Sequence, residues 1–511
     1  MKKCGKGPFL VGLDLGTTGA KAGVIGTTGA VMATSFVSYE TSTPRPGWAE
    51  QDPADWWDAA TRSVRDAVES SGAEPGDIAG IGVSGQMHGS VFLDGSGTVV
   101  RPCILWCDQR TSSQCEQITR TIGLDRLSKW TGNPALPGFT APKVLWLRKN
   151  EPDCYGRVRR LLLPKDYINL RLTGVESTEM SDASGTLLFD VGSRNWSGPM
   201  LDALEIPTGW LPPVFESGDR IGGLSPDAAK ATGLPEGTPV AAGGADNACG
   251  ALGMGVLEPG RIAVSLGSSG TVLAPTSTPV HDPEMRLHSF CHAVPGTWYL
   301  MGVMLSAGLA LRWFRDELGE LEVTEASRLG IDPYEILIDE ASMAPVGCDG
   351  LTFLPYLSGE RTPHTDPDAR GVLYGLDLTK RRAHMVRAIL EGVTFGLEDS
   401  LEIMRDMGVP LDEVVSGGGG SRSRFWRQVQ ADVFELPITA AGTSDSAMLG
   451  AGILAGVAAG VFDSVNDACS ALSSNGERLE PDESTFGAYH KAYLRYRNLY
   501  PSLKMQFARD A

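Results

Sequence analysis

The chain has 511 residues, beyond the ~250–300 at which a single hydrophobic core stops growing, so two domains are expected. Hydrophobic residues make up 42% and charged ones 21%, and no run approaches the ~18 apolar residues of a membrane span. Sixty-two acidic against 44 basic residues give a formal net charge of -18, which argues against broad nucleic-acid or anionic-membrane binding but leaves room for one nucleotide held by backbone N–H groups and a divalent cation.

The opening stretch MKKCGKGPFLVGLDLG starts with Lys2 and Lys3 but has no apolar h-region or small-residue cleavage site, so a cytoplasmic protein is expected. Strands are expected at 9–15, about 20–25 and about 30–38, joined by tight hairpins in an antiparallel meander. A helix then starts at Pro53 with Asp52 as N-cap and runs to Gly72. A short buried strand at 78–83 leads into the turn SGQMHGS and another strand, and strand, helix, strand in this order implies an α/β fold. Residues 100–235 mix short helices with Pro- and Gly-rich loops and read as an elaboration of the first domain. A second core begins with a strand at 238–242, a glycine turn, a helix and a hairpin around 261–274, which puts the boundary near residue 243 and the domains at 1–243 and 244–511. Further on, a long amphipathic helix covers RRAHMVRAILEGVTFGLEDSLEIMRDMG, and a short strand breaks at four glycines into another helix after Ser421.

Nine irregularly spaced cysteines (Cys4, Cys103, Cys107, Cys115, Cys154, Cys249, Cys291, Cys348, Cys469) are unlike a secreted disulfide framework, so reduced thiols are expected. Cys103, Cys107 and Cys115 with His88 contain no C-x-x-C pair, and a metal-thiolate site is not expected there.

The tetrapeptide Gly-Thr-Thr-Gly occurs at 16–19 and again at 26–29. The more informative repeat is between LDLGTTGAK at 13–21 and VSLGSSGTV at 264–272, where Asp14 corresponds to Ser265. Neither a Walker A loop nor a G-x-G-x-x-G follows the first strand. Instead there are Gly/Ser/Thr turns at 16–19, 267–270 and 417–420, each ending an apolar strand and offering N–H and hydroxyl donors to phosphate oxygens. Asp14 beside the first turn would repel phosphate unless a divalent cation lay between them; the alternative is a solvated strand residue or turn cap. Asp246 in VAAGGADNACGALG is either a helix cap or a general base at a strand-to-helix junction. Gln86, Met87 and His88 lie between glycines at a strand end, where His and Gln could bond sugar hydroxyls and Met could cover an apolar face, although a lone His is more often structural.

Two longer stretches carry a resemblance that covers nearly the full length. GFTAPKVLWLRKN at 138–150 and GVLYGLDLTKRRAHMVRAILE at 371–391 match the two signatures of the FGGY family of carbohydrate kinases, within the actin-like ATPase superfamily. GQMHG, LLPKDYINLRLTG, MSDASGT, HSFCHA and FLPYLSGERTPH resemble its xylulokinase subgroup rather than glycerol kinases. The resemblance implies two ribonuclease-H-like α/β domains around a central cleft and ATP-dependent phosphorylation of an open-chain ketose, D-xylulose, to D-xylulose 5-phosphate. It implies that Asp246 is the catalytic base with Asn247 beside it, that Met87 and His88 contact the sugar, and that Asp14 holds Mg²⁺. Thr17, Thr18 and Lys21 would meet the ATP phosphates, with Gly267, Ser268 and Ser269 as the second phosphate turn. Gly308 and Arg312 would line the nucleotide site, and Gly418 and Gly419 would lie against the adenosine with Ser423 nearby. Family resemblance also implies a homodimer. The alternatives are a kinase for another ketose or polyol (ribulose, fuculose, glycerol, xylitol) and a non-catalytic actin-like ATPase. One departure stands out: the family often has Gly-Gly-Gly-Asp-Asn where this chain has Ala245 before Asp246, a methyl that would strain the loop if that position needed positive φ.

Overall fold

The computed structural model describes residues 7–510, with side chains to residue 508; Cys4, Lys2 and Lys3 lie outside these residues. Strand Phe9–Leu15 is buried at every position except Asp14, which is half-buried. It pairs antiparallel with Gly19–Gly26, which pairs antiparallel with Val31–Ser38. On its other side it pairs parallel with Ile78–Gly85, which pairs parallel with Pro239–Ala241, and Arg220–Gly223 closes that edge. The expected meander, helix and buried strand are all present, and that strand is parallel to the first.

Helix Pro53–Ser71 begins where the Asp52 carboxylate accepts from the Ala54 N–H, and it ends at Gly72 in the left-handed conformation. Its Trp56 and Val64 share a core with Val11, Leu13, Ile81 and Val83 of the sheet. Against Phe9–Leu15 and Ile78–Gly85 also packs helix Ser446–Ala458, whose sequence SAMLGAGILAGVA brings backbone against backbone. A Cβ added at Gly12 would stand 2.0 Å from the Met448 carbonyl, and one at Gly82 would stand 2.1 Å from that of Ala451.

The second sheet repeats this order. Gly260–Leu266 pairs antiparallel with Gly270–Thr276, beside which runs Trp298–Met304. It pairs parallel with Leu411–Gly417, which pairs parallel with Ile438–Ala441, and Asn475–Leu479 closes the edge antiparallel. The 25-residue helix Arg382–Asp406 is buried from Val386 to Leu401 without interruption.

The chain forms two compact units rather than two halves joined near residue 243. The first runs to Leu257 and takes back Ser277–Tyr299 and Asp445–Ser474, and the second holds Glu258–Thr276, Leu300–Ser444 and the chain from Asn475 on. Asp246, expected in the C-terminal part, therefore lies in the first unit. The physical reason is close packing of small residues: helix Asp246–Gly253 touches helix Ser446–Ala458 so tightly that a Cβ at Gly450 would fall 1.9 Å from the Cys249 carbonyl. The eight described cysteines are all free, and no described helix is long and apolar enough to cross a membrane.

Gly82→Ala is expected to destabilise the protein by about 1–3 kcal/mol or more, the cost of overpacking a tight core. Gly76→Ala, whose Cβ would meet nothing within 4 Å, is the matched control. Equal thermal midpoints for the two variants would contradict backbone-to-backbone packing at Gly82.

Candidate functional site

In the first unit, strand pairing places Lys21 opposite Asp14 across the hairpin and Ser84 opposite it on the parallel side. The Ser84 hydroxyl donates to Asp14 Oδ1 at 2.9 Å, whereas Lys21 Nζ pairs with Asp445 Oδ1 at 2.5 Å. Burial raises the Asp14 carboxyl above its ordinary pKa, against the lowering effect of the Ser84 hydrogen bond.

The turn after Asp14 closes with the Gly16 N–H on the Gly19 carbonyl at 3.0 Å. Three side chains from elsewhere in the unit fix it. Gln51 Nε2 donates to the Thr17 carbonyl at 2.7 Å, Trp106 Nε1 donates to the Thr17 hydroxyl at 2.9 Å, and the Tyr39 hydroxyl donates to the Gly16 carbonyl. Thr18 is left exposed at the tip. The nearer copy at 26–29 is a plain turn between strands, closed by the Gly26 N–H on Ala30 O at 2.8 Å.

Asp246 opens helix Asp246–Gly253, and its Oδ1 accepts from the Asn247 N–H at 2.7 Å and from Asn247 Nδ2 at 3.0 Å. Asn247 Nδ2 also lies 3.8 Å from Met87 Sδ, so Asp246, Asn247 and Met87 are contiguous. Asp246 keeps part of its surface accessible yet is ringed by protein; that desolvation, with the nearby charge of Asp14, pushes its carboxyl up to about 7 against the Asn247 hydrogen bonds. His88 has φ 68. Its Nδ1 lies 2.5 Å from the Gly185 carbonyl, its ring centroid lies 4.7 Å from that of Phe139, and its own carbonyl accepts from Lys143 Nζ at 2.8 Å. Gln86 donates to Gln51 Oε1 at 3.0 Å, which links the GQMHG turn to the Gly-Thr-Thr-Gly turn. Ala245 has φ -56, so its methyl adds no backbone strain; the positive φ of this loop, 81, belongs to Gly243.

In the second unit the turn at 267–269 is one residue tighter than its counterpart. Leu266 pairs with Gly270 across it, and the Gly267 N–H meets the Ser269 carbonyl at 3.0 Å, whereas Leu15 pairs with Ala20. The Gly308 N–H donates to the Gly267 carbonyl at 2.9 Å, and Arg312 Nη2 reaches the Ser268 hydroxyl at 3.4 Å, so Gly308 and Arg312 sit at this turn. The adjacent parallel strand ends at Gly417, and the next residue, Gly418, has φ 82 and would place a Cβ 2.6 Å from the Leu266 carbonyl. Gly419 has open space where a Cβ would stand, and Ser423 caps helix Arg424–Phe434 by accepting from the Trp426 N–H at 3.1 Å.

Among the described residues no group of three or more His, Cys, Asp or Glu side chains gathers as a metal cage. Asp14, a half-buried carboxylate just before the Gly-Thr-Thr-Gly turn, has the chemistry of an Mg²⁺ site of the kind that uses one or two carboxylates, waters and substrate phosphates. Sequence reasoning missed Gln51, Trp106 and Asp445, which reach the Asp14 hairpin from distant segments and carry no local motif, and it quoted the SGQMHGS turn without giving Ser84 its bond to Asp14.

Residues 9–253 match the model of the N-terminal domain of the FGGY family of carbohydrate kinases, and residues 262–459 match that of the C-terminal domain. This chain belongs to the FGGY family. It is 38% identical to a xylulose kinase of Bacillus subtilis over 97% of each chain, and 38% identical to one of Escherichia coli over 96% of this chain and 99% of that one. It is also 30% identical to a gluconokinase of Bacillus subtilis over 98% of each. The crystal structure of a xylulose kinase from Rhodospirillum rubrum superposes with a TM-score of 0.89 at 31% identity, covering 98% of this chain and all of that one. The fold is therefore the actin-like one of FGGY kinases, which explains why two sheets share one strand order.

Proposed function

We propose that this FGGY kinase transfers the γ-phosphoryl group of ATP to the terminal hydroxyl of D-xylulose, giving D-xylulose 5-phosphate in the cytoplasm. The observation that carries the reading is Asp246: a carboxyl pushed up to about 7, beside Asn247 and Met87, is matched to a general base working at neutral pH. Asp246 accepts the hydroxyl proton as the oxygen attacks in line, and Asn247, which bonds the same carboxylate oxygen, fixes its orientation. Met87 and His88 hold the sugar. His88 is locked for that role through its ring contact with Phe139 and its backbone bond to Lys143. Thr17 and Thr18 carry a turn suited to the phosphates, and so do Gly267, Ser268 and Ser269 with Arg312 beside them in their own unit. Gly418 and Gly419 meet the adenosine. Mg²⁺ held at Asp14 would supply charge neutralisation for the phosphates, and it would remove the repulsion that otherwise separates them from that carboxylate.

The relatives named for xylulose support the ketose, and the gluconokinase relative is the reason to test other acceptors. In steady-state kinetics across xylulose, ribulose, fuculose, glycerol, xylitol and gluconate, xylulose is expected to have the highest kcat/KM; a clear preference for any other acceptor would refute the assignment. Asp246→Ala is expected to lower kcat by about 10²–10⁴, the range for a general base, with ATP binding by calorimetry unchanged. Turnover retained at the parent rate would defeat the base assignment.

A further inference from the structure

The segment that delivers Asp246 is tied down by a buried cluster of charges that takes no direct part in the chemistry above. Lys165, wholly buried, places Nζ 2.5 Å from Asp166, 3.8 Å from Glu179 and 3.9 Å from Asp182. Burial alone would lower the Lys165 ammonium, but these three carboxylates raise it overall, so it stays charged. Both Glu179 oxygens are saturated with donors: the Ser181 and Asp182 N–H groups at 2.7 and 2.8 Å, and the Ser181 and Ser217 hydroxyls at 2.9 and 2.7 Å. These donors take the place of water around a carboxylate in a dry interior.

From this cluster two bonds run to the loop that precedes Asp246. The Ser181 hydroxyl, which donates its O–H to Glu179, accepts the Ala245 N–H at 3.0 Å. At the other end Lys165 Nζ and Asn169 Nδ2 both donate to the Ala242 carbonyl, at 3.4 and 2.9 Å. Between these points Gly243 donates its N–H to the Ser217 carbonyl at 3.0 Å, and it passes so close to the next strand that a Cβ would stand 2.0 Å from the Val83 carbonyl. The four residues before Asp246 are thus clamped at both ends by one ion cluster.

We propose that Ser181, oriented by Glu179 and Lys165, is a positioning residue for phosphoryl transfer: it fixes the Ala245 peptide and so the direction in which the Asp246 carboxylate points. This rests on the reading of Asp246 as the base. The hydroxyl is the right group for the task because it can donate to a carboxylate and accept from an N–H at once, which neither alanine nor a second carboxylate can do.

The test compares Ser181→Ala and Glu179→Gln with the parent enzyme by steady-state kinetics and by amide hydrogen exchange. Ser181→Ala is expected to lower kcat about tenfold to hundredfold, the scale of a base misplaced by about 1 Å, while KM for ATP and for the sugar stays within about threefold. Exchange of amides at 244–250 is expected to quicken in both variants, and the rest of the first unit keeps the parent pattern. Should Ser181→Ala fail to fold, Glu179→Gln, which keeps the side-chain shape and removes the charge that orients Ser181, gives the same readings. A kcat within about twofold of the parent value for the folded variants, well below the loss a displaced base would give, overturns the positioning role. If Asp246→Ala instead keeps its turnover, the base assignment fails, and the exchange at 244–250 still decides whether Ser181 anchors the junction.

Discussion

Two carboxylates held in one poorly solvated region of the first unit set the terms for the rest of the site. Burial raises both Asp14 and Asp246, and the charge of Asp14 raises Asp246 further, to about 7. Such a pair is costly to keep ionised, because each added charge must be desolvated beside a like one. The cost has a use. In the proposed reaction the raised Asp246 carboxylate takes the proton of the attacking hydroxyl, and Asp14 would hold the divalent cation.

The fold supplies the rigidity that this pair requires. Asp14 stands on a strand pressed between helices Pro53–Ser71 and Ser446–Ala458, and the second of these lies at backbone contact distance because Gly12 and Gly82 have no Cβ. Asp246 begins a helix packed on that same small-residue helix, so the segment at 446–458 serves both carboxylates although it is far from either in sequence. The Gly-Thr-Thr-Gly turn is fixed by Gln51, Trp106 and Tyr39, and Gln51 carries the connection on to the GQMHG turn through Gln86. The second unit repeats the hairpin and its parallel neighbour with Ser265 in place of Asp14. Its turns therefore offer neutral donors without a metal-binding acid, which suits phosphate or nucleoside contact.

Much of this was legible in the sequence where the signal is local. Short apolar strands, the Asp52 cap, the Pro53 start and the hairpins located the first sheet to within a few residues, and the pairing of 16–19 with 267–270 anticipated the repeated topology. The limit of the first unit was not legible. SAMLGAGILAGVA is apolar on all sides, so no periodicity says which sheet it joins, and a break near 243 separated Asp246 from the strands it stands beside. The Ala245 question could be posed from sequence but only answered from the backbone, where Gly243 takes the left-handed angle and Ala245 does not. The Lys165 cluster was not legible either: LLPKDYINLRLTG and MSDASGT carry the family resemblance, but nothing local in them says that their charges meet in the interior.

The proton affinity of Asp246 decides whether it can serve as the base. Titration of the metal-free protein labelled with ¹³C at the aspartate carboxyls, with the Asp246 signal assigned by its loss in Asp246→Asn, measures it directly. The expected result is a midpoint near 7 that falls when Asp14 is replaced by asparagine, because one of the two causes of the shift is removed. A midpoint in the ordinary carboxylate range of about 3.5–4.5, or one indifferent to Asp14, would contradict it.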